Sequence, residues 1–140
     1  MILDAGMTGA KPTIVIVGNG MVSYSLCSKL VADGASDSAD QRFKIIVIGE
    51  ENRPAYDRVH LTRYFENHSA DDLLLASKDW YRANDIDLRL GQKVVEIVPA
   101  AKTVTTSTGD TVHYDKLVLA TGSHPFVPDI RGVNEEGVFD

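Results

Sequence analysis

The feature that most limits the fold is an apolar run that stops at two glycines. Thr13-Ile-Val-Ile-Val17 predicts a buried strand, and Gly18-Asn19-Gly20-Met21-Val22-Ser23 follows it directly. Gly18 permits a tight turn, and Gly20 lets the backbone approach a phosphate. The helix that begins there offers free N–H groups and the positive end of its dipole. The pattern predicts a strand–turn–helix unit that binds a dinucleotide pyrophosphate, although Ser23 replaces the Gly or Ala of the usual fingerprint.

A second apolar strand, Phe43–Ile48, supports this interpretation. It ends at Gly49 and is followed by Glu50, whose carboxylate could accept hydrogen bonds from ribose hydroxyls. This acid lies further along the chain than the usual gap of about 20 residues. Asp33–Gln41, rich in Gly, Ala, Ser and Asp, accounts for the excess as a predicted surface loop. The alternative is an α/β protein in which the same unit binds no nucleotide.

The bulk composition suits one soluble domain. The chain has 140 residues, a net charge of −6 and a pI near 5.1, which argue against nucleic acid or an anionic membrane as the main partner. No apolar run approaches the roughly 20 residues of a membrane-spanning helix. We predict a cytoplasmic protein with a disordered tail at residues 1–12 and a Rossmann-like domain at residues 13–140.

Cysteine and histidine usage predicts neither disulfide nor metal chemistry. Cys27 is the single cysteine, and we expect a buried, inert thiol on a core-facing helix stripe with Val22, Leu26, Leu30 and Val31. The four histidines are His60, His68, His113 and His124. They lack the spacing of metal ligands, so no metal site is predicted. No side chain is suited to act as a general acid, base or nucleophile, and no catalytic residue is predicted.

Between the second strand and residue 87 the sequence predicts short helices. A helical turn is expected at Leu61–Glu66. Ser69 and Ser77 are both good N-cap residues, and they predict helices near Ala70–Leu75 and Lys78–Asn84.

From Asp87 onwards the pattern becomes that of β-strands. The predicted strands are Leu88–Leu90, Val94–Val98, Thr103–Thr106 and Val112–Tyr114, with a turn at Thr108–Thr111. We predict that they form an antiparallel meander, followed by a third buried strand, Leu117–Leu119, that stops at Ala120-Thr121-Gly122. A nicotinamide-binding Rossmann domain would keep alternating strands and helices, so this meander crossover favours a flavin site. The predicted fold is α/β in three layers, a βαβ unit with a parallel sheet and a β-meander crossover.

Several segments together resemble a known family. They are Gly18–Val22, Glu50-Glu51, Ala55–Leu61 and Leu117–Gly122. These segments resemble the FAD domain of the pyridine nucleotide-disulfide oxidoreductase superfamily. Asn-Gly-Met-Val after the first strand, Tyr-Asp-Arg-Val-His-Leu at 56–61 and Tyr-Asp-Lys-Leu at 114–117 are similar, more specifically, to the N-terminal end of NAD(P)H-dependent nitrite reductase large subunits. The resemblance covers nearly everything from Thr13 onwards.

This resemblance implies a set of FAD-binding residues. The glycine turn would bind the FAD pyrophosphate, Glu50 the ribose, and Arg58 the flavin diphosphate or ring, while main-chain groups at Val94 would contact adenine. The expected cofactor-binding residues are Gly18, Gly20, Met21, Val22, Glu50, Glu51, Arg58, Val94, Ala120, Thr121 and Gly122. Related reductases often have Lys where this chain has Arg63.

The resemblance also implies an activity. In the intact enzyme, hydride would pass from NAD(P)H to FAD, and electrons would continue through an iron–sulfur centre and a sirohaem that reduces nitrite to ammonium. We expect NAD(P)H, the metal centres and nitrite to be bound by domains beyond Asp140. A small subunit is a further expected partner. The chain alone is expected to be an inactive fragment. Two alternatives stay open: an FAD domain of a rubredoxin- or ferredoxin-type reductase, and a nucleotide-binding or assembly domain whose flavin fold no longer does redox work.

Overall fold

The computed structural model describes residues 11–33, 42–67, 69–123, 126–133 and 135–137. Its elements are, in chain order, β1 (Thr13–Val17), α1 (Met21–Asp33), β2 (Lys44–Ile48), α2 (Arg63–Asn67), a 3-10 helix (Asp71–Leu73), α3 (Lys78–Ala83), β3 (Ile86–Arg89), β4 (Val94–Val98), β5 (Thr103–Thr106), β6 (Thr111–His113) and β7 (Lys116–Leu119). Within these residues, no helix is long and apolar enough to cross a membrane.

Four strands form a parallel sheet in the order β3-β2-β1-β7. β1 and β2 are almost entirely Val and Ile, as is typical of strands that are covered on both faces. Val17 pairs with Ile48 of β2 and with Leu119 of β7, and Ile48 pairs with Arg89 of β3. The carboxyl ends of all four strands therefore lie side by side, and we call this line the carboxyl edge.

Helices α1 and α3 cover one face of the parallel sheet. The buried residues of this core are Ile14, Ile16, Cys27, Ile45, Val47, Ala76, Tyr81 and Ile86. Trp80 of α3 packs edge-on against Tyr24 of α1, with 5.4 Å between the ring centroids, and so joins the two helices.

Strands β4, β5 and β6 form an antiparallel sheet that covers the opposite face. The buried residues of this second core are Val15, Val17, Ile46, Ile48, Val104 and Val112. Successive residues of β1 enter opposite cores, because side chains alternate across a strand. The molecule thus has three layers, and the predicted three-layer α/β fold with a meander crossover is confirmed.

The prediction that residues 88–90 belong to the meander is wrong. β3 pairs in parallel with β2 and extends the central sheet, while the meander consists of β4, β5 and β6 alone. An alternating pattern does not distinguish parallel from antiparallel pairing. The preceding helix α3 decides the matter, because a helix between two strands allows the chain to cross over and pair in parallel.

Only one of the two predicted serine caps forms. Ser77 accepts a hydrogen bond from the Trp80 N–H at 3.2 Å, and α3 begins directly after it. Ser69 caps nothing, since the predicted helix at Ala70–Leu75 is replaced by the 3-10 helix, whose N-cap is Ala70. A tertiary hydrogen bond explains the difference. The Leu75 N–H donates to the distant Ala55 carbonyl at 2.9 Å instead of to a carbonyl within a helix.

Two burial predictions also need correction. The third strand is not fully buried, because β7 is an edge strand in which Leu119 is 61% exposed. Val22 does not face the core either; it is 69% exposed, whereas Leu26, Leu30 and Val31 pack against the core beside Cys27. Residues 1–10 of the predicted tail and 34–41 of the predicted loop lie outside the described residues.

Candidate functional site

The glycine turn lies at the carboxyl edge, directly after β1. The Gly18 N–H donates to the Ile48 carbonyl at 2.8 Å, and the Ala120 N–H donates to the Val17 carbonyl at 2.7 Å. The ends of β1, β2 and β7 are therefore joined by backbone hydrogen bonds just where the turn begins. Gly18 and Ala120, two residues predicted to bind the cofactor, are brought together here.

Gly18 is required by close packing as well as by conformation. Its φ is +103°, a region that side-chain-bearing residues rarely adopt. A Cβ at this position would lie 2.6 Å from the Ala120 carbonyl carbon, nearer still to its oxygen, and 2.9 Å from the Thr121 nitrogen. The turn can therefore pass the exit of β7 only if residue 18 has no side chain.

The start of α1 presents unpaired backbone amides. The first intrahelical hydrogen bond runs from the Tyr24 N–H to the Gly20 carbonyl at 3.0 Å, so the amides of Met21 and Val22 have no partner inside the helix. A Cβ at Gly20 would meet no described atom within 4 Å. The space beside these amides is open and is framed by the positive end of the helix dipole. An anion such as a phosphate fits this environment.

Glu50 is held beside the turn by its own backbone. The Gly49 N–H donates to the Arg89 carbonyl at 2.8 Å, the Gln92 N–H donates to the Gly49 carbonyl at 2.9 Å, and the Gly91 N–H donates to the Glu51 carbonyl at 3.1 Å. These bonds fix the segment that carries Glu50 at the end of β2.

The Glu50 carboxylate itself remains accessible. Its Oε1 lies 3.3 Å from the Lys93 Nζ, and both side chains are more than half exposed. An exposed ion pair of this kind contributes about 0–1 kcal/mol, so a ribose hydroxyl can compete for the carboxylate.

Glu51 and Arg58 pair with each other on the loop that follows β2. The Arg58 guanidinium also lies 5.1 Å from the centre of the Tyr56 ring. Both charged side chains are about half exposed. In this arrangement Arg58 forms an ion pair within its own loop. The Arg58–Glu51 pair would have to open before Arg58 could contact a cofactor.

The remaining predicted residues lie at the start of β4 and directly after β7. Val94 begins β4, directly after Lys93, whose carbonyl accepts from the Ser107 N–H at 2.7 Å. Thr121 and Gly122 follow Ala120 and are exposed, and Gly122 has a φ of +76° with open space where a Cβ would be. Main-chain groups at Thr121 and Gly122 are thus accessible at the carboxyl edge, whereas Val94 is half-buried, pairs with Thr106 of β5 and packs against the second core.

Asn19, between the two glycines, makes contacts for which sequence reasoning assigned no role. Its Nδ2 donates to the Arg53 carbonyl and its Oδ1 accepts from the Tyr81 hydroxyl, each at 3.3 Å. The signal that could have revealed this role is a polar residue between two glycines, with Gly49 at the matching end of the neighbouring strand.

Burial and hydrogen bonding shift the pKa of three groups on the elements around the site, Tyr81, Cys27 and Asp57. Burial raises the pKa of Tyr81 to about 12 and that of Cys27 to about 11, so both stay protonated at neutral pH. The hydrogen bond with the His60 ring holds the pKa of Asp57 below its usual range, and the His60 Nδ1 lies 2.6 Å from the Asp57 Oδ2. Within the described ranges, no cluster of three or more His, Cys, Asp or Glu is placed to hold a metal ion.

Two surface grooves are lined by residues of different parts of the fold. The larger, of 590 Å³, includes Thr13, Lys44 and Ile86, the first residues of β1, β2 and β3. It is therefore at the opposite end of the sheet from the carboxyl edge, where ligands bind in folds of this kind. The smaller, of 290 Å³, is lined by Glu51, one of the predicted cofactor-binding residues, by Tyr56, and by residues of α2 and the 3-10 helix. The glycine turn and the free amides at the start of α1 lie at the carboxyl edge, away from the groove of 590 Å³.

Comparison with known proteins agrees with this geometry. The chain is 45% identical over 129 residues to the NAD(P)H nitrite reductase large subunit of Klebsiella oxytoca, covering 92% of this chain and 13% of that protein. It is 40% identical over 130 residues to the NADH nitrite reductase large subunit of Escherichia coli K12, covering 93% and 15%. The predicted resemblance is confirmed, and the chain spans only about an eighth to a seventh of these curated relatives.

A solved structure gives the same fold. NADH:rubredoxin oxidoreductase from Clostridium acetobutylicum superposes with a TM-score of 0.73 and 28% identity, covering 90% of this chain and 32% of that one. Residues 12–140 match the family model described as pyridine nucleotide-disulphide oxidoreductase. The chain therefore belongs to the pyridine nucleotide-disulphide oxidoreductase family.

Proposed function

We propose that this chain is the FAD-binding portion of an NAD(P)H-dependent nitrite reductase large subunit. The observation that carries the proposal is the open space at Gly20 beside the unpaired amides of Met21 and Val22, in a chain 40–45% identical to two such subunits. An FAD diphosphate fits there, because it supplies the negative charge that these amides and the helix dipole favour.

The chain's own residues would bind and orient the cofactor. The amides of the turn hold the diphosphate, Glu50 accepts hydrogen bonds from the adenosine ribose, and the main chain at Val94 contacts adenine. Arg58 would contact the flavin diphosphate or ring, Glu51 is a further cofactor-binding residue beside it, and Ala120, Thr121 and Gly122 would pass close to the cofactor. When bound, FAD supplies the ability to accept a hydride and release electrons singly.

The other parts of the proposed reaction belong outside this chain. NAD(P)H, the iron–sulfur centre, the sirohaem, nitrite and a small subunit are assigned to the remainder of a longer protein. Supporting this division, the chain corresponds to 13% and 15% of the two nitrite reductase subunits. On this proposal residues 13–140 are a portion of an FAD domain and do not turn over alone.

A rubredoxin-type reductase is the second candidate, favoured by the likeness to NADH:rubredoxin oxidoreductase. The two candidates share the same FAD site and differ in the final electron acceptor. The reading frame past Asp140 separates them, because only the nitrite reductase requires cysteines spaced to ligate an iron–sulfur centre and a sirohaem.

The test of the site is ADP and FAD binding to the purified chain by calorimetry. ADP should bind to the wild type. Gly20→Val should weaken binding more than tenfold, because a branched side chain would occupy the space of the phosphates. A tenfold loss of affinity corresponds to about 1.4 kcal/mol. Ser25→Val is the matched control, because it adds the same side chain at an exposed position of α1. Equal affinity in a folded Gly20→Val would contradict the site.

Failure of the wild type to bind either ligand would contradict the redox proposals altogether. That result would favour the remaining alternative in its second form, an assembly domain whose flavin fold no longer does redox work.

A further inference from the structure

The Asn19 side chain joins three separate elements of the fold. It projects from the glycine turn, donates through Nδ2 to the Arg53 carbonyl in the loop after β2, and accepts through Oδ1 from the Tyr81 hydroxyl of α3. Both distances are 3.3 Å. A single amide therefore ties the turn to the loop that carries the acidic residues and to the helix layer beneath it.

The orientation of this amide is fixed by its partners. The Tyr81 ring is buried and its pKa is raised to about 12 because burial disfavours the phenolate, so its hydroxyl remains available to donate at neutral pH. The Arg53 carbonyl can only accept. Asn19 satisfies both only with its oxygen towards Tyr81 and its nitrogen towards Arg53, and an aspartate would lack the second donor.

Gly49 provides the room for this side chain. A Cβ at Gly49 would lie 2.7 Å from the Asn19 Cβ, a separation that real side chains do not adopt. Asn19 therefore packs directly over the end of β2, at the residue that precedes Glu50. This is a steric observation, independent of the two hydrogen bonds, that places Asn19 against the same segment.

We propose that Asn19 is a positioning residue that couples ribose recognition to diphosphate recognition. Asn19 packs on Gly49 and donates to the Arg53 carbonyl, so it contacts the segment that contains Glu50 on both sides of that residue. These contacts hold the segment at a fixed distance from the amides of the turn. A ligand that spans both groups benefits from this separation, whereas a bare diphosphate does not. The inference rests on the proposed ADP site and extends it.

The first experiment compares ADP with inorganic pyrophosphate in calorimetric titrations. Asn19→Ala should weaken ADP binding about five- to tenfold, within the range of measured couplings between residues in contact. Pyrophosphate binding should change less than about twofold, the usual deviation for uncoupled sites. A purely structural role would weaken both ligands alike or neither.

Asn84→Ala is the matched control. The Asn84 Nδ2 donates to the Trp80 carbonyl at 2.8 Å, so this variant also removes an amide-to-carbonyl hydrogen bond on α3, but away from the turn. It should leave the ADP affinity within about twofold of wild type. If Asn19→Ala fails to fold, Tyr81→Phe carries the test, because it deletes only the hydroxyl and should weaken ADP more than pyrophosphate.

A double-mutant cycle with Glu50→Ala tests the coupling itself. Glu50→Ala should weaken ADP binding in the wild type but have much less effect in the Asn19→Ala background, since the carboxylate is then no longer held in place. Additive losses, or equal losses for ADP and pyrophosphate, would overturn the positioning role while leaving the ADP site intact. A wild-type chain that binds no ADP would overturn both the role and the site.

Discussion

At the scale of single residues, the two glycines of the turn serve different physical purposes. Gly18 has a positive φ and no room for a Cβ against Ala120, whereas a Cβ at Gly20 would point into open space. The sequence predicts that both are needed, since two glycines after a buried strand indicate a phosphate-binding turn. It cannot reveal the contact with Ala120, because that contact depends on pairing between strands that are distant in the chain.

Gly18→Ala should therefore destabilise the fold by at least about 3 kcal/mol, combining backbone strain with a steric clash. Gly109→Ala is the matched control, because Gly109 has a φ of +88° but open space where the new methyl group would lie. It should cost only the strain, about 1–2 kcal/mol. Urea denaturation of both variants checks the difference, and equal losses would show that the contact with Ala120 is unimportant.

Cys27 makes stability depend on pH in the alkaline range. Its pKa is about 11 in the folded protein against an ordinary value of 9.0, so the folded state holds the proton more tightly than the unfolded state. The contribution is fully present below pH 9 and is lost as the pH rises towards 11, a loss of about 2–3 kcal/mol. The free energy of unfolding should fall more steeply in wild type than in Cys27→Ala over this range. Parallel pH profiles would contradict the burial of an uncharged thiol.

At the scale of elements, local patterns predict what an element is better than what it pairs with. β1, β2 and α3 are predicted nearly to their bounds, since apolar runs and the Ser77 cap are local signals. The partner of β3 and the loss of the helix at Ala70–Leu75 depend on distant backbone groups. Tyr56 forms a bridge with Leu74 there, and this pairing competes with helix formation.

The two serines test this distinction. Ser77→Ala should destabilise the protein by about 1 kcal/mol, because the Trp80 N–H loses its side-chain acceptor. Ser69→Ala should change the free energy of unfolding by less than about 0.5 kcal/mol, as for surface sites without a special contact. Thermal or urea unfolding measures both variants. An equal loss of stability in Ser69→Ala would indicate that Ser69 does cap a helix at Ala70–Leu75, as the sequence predicts.

At the scale of the whole molecule, the layers follow from the alternation of side chains. Odd and even residues of β1 enter different cores, so one strand commits the chain to a covered sheet with helices on one face and the meander on the other. The sequence also predicts the candidate site at the carboxyl edge, because strand ends, glycines and Glu50 are local features. The bridging role of Asn19 and the pairing of Arg58 with Glu51 emerge only from the assembled fold.

The central claim is that the amides at the start of α1 bind the diphosphate of the cofactor. Titrating ADP into the ¹⁵N-labelled chain and following its amide resonances tests this most directly. The largest shifts should occur at Gly20, Met21 and Val22, with further shifts beside Glu50. Shifts confined to the groove at the opposite end of the sheet, around Thr13 and Lys44, or no shifts at all, would contradict the account.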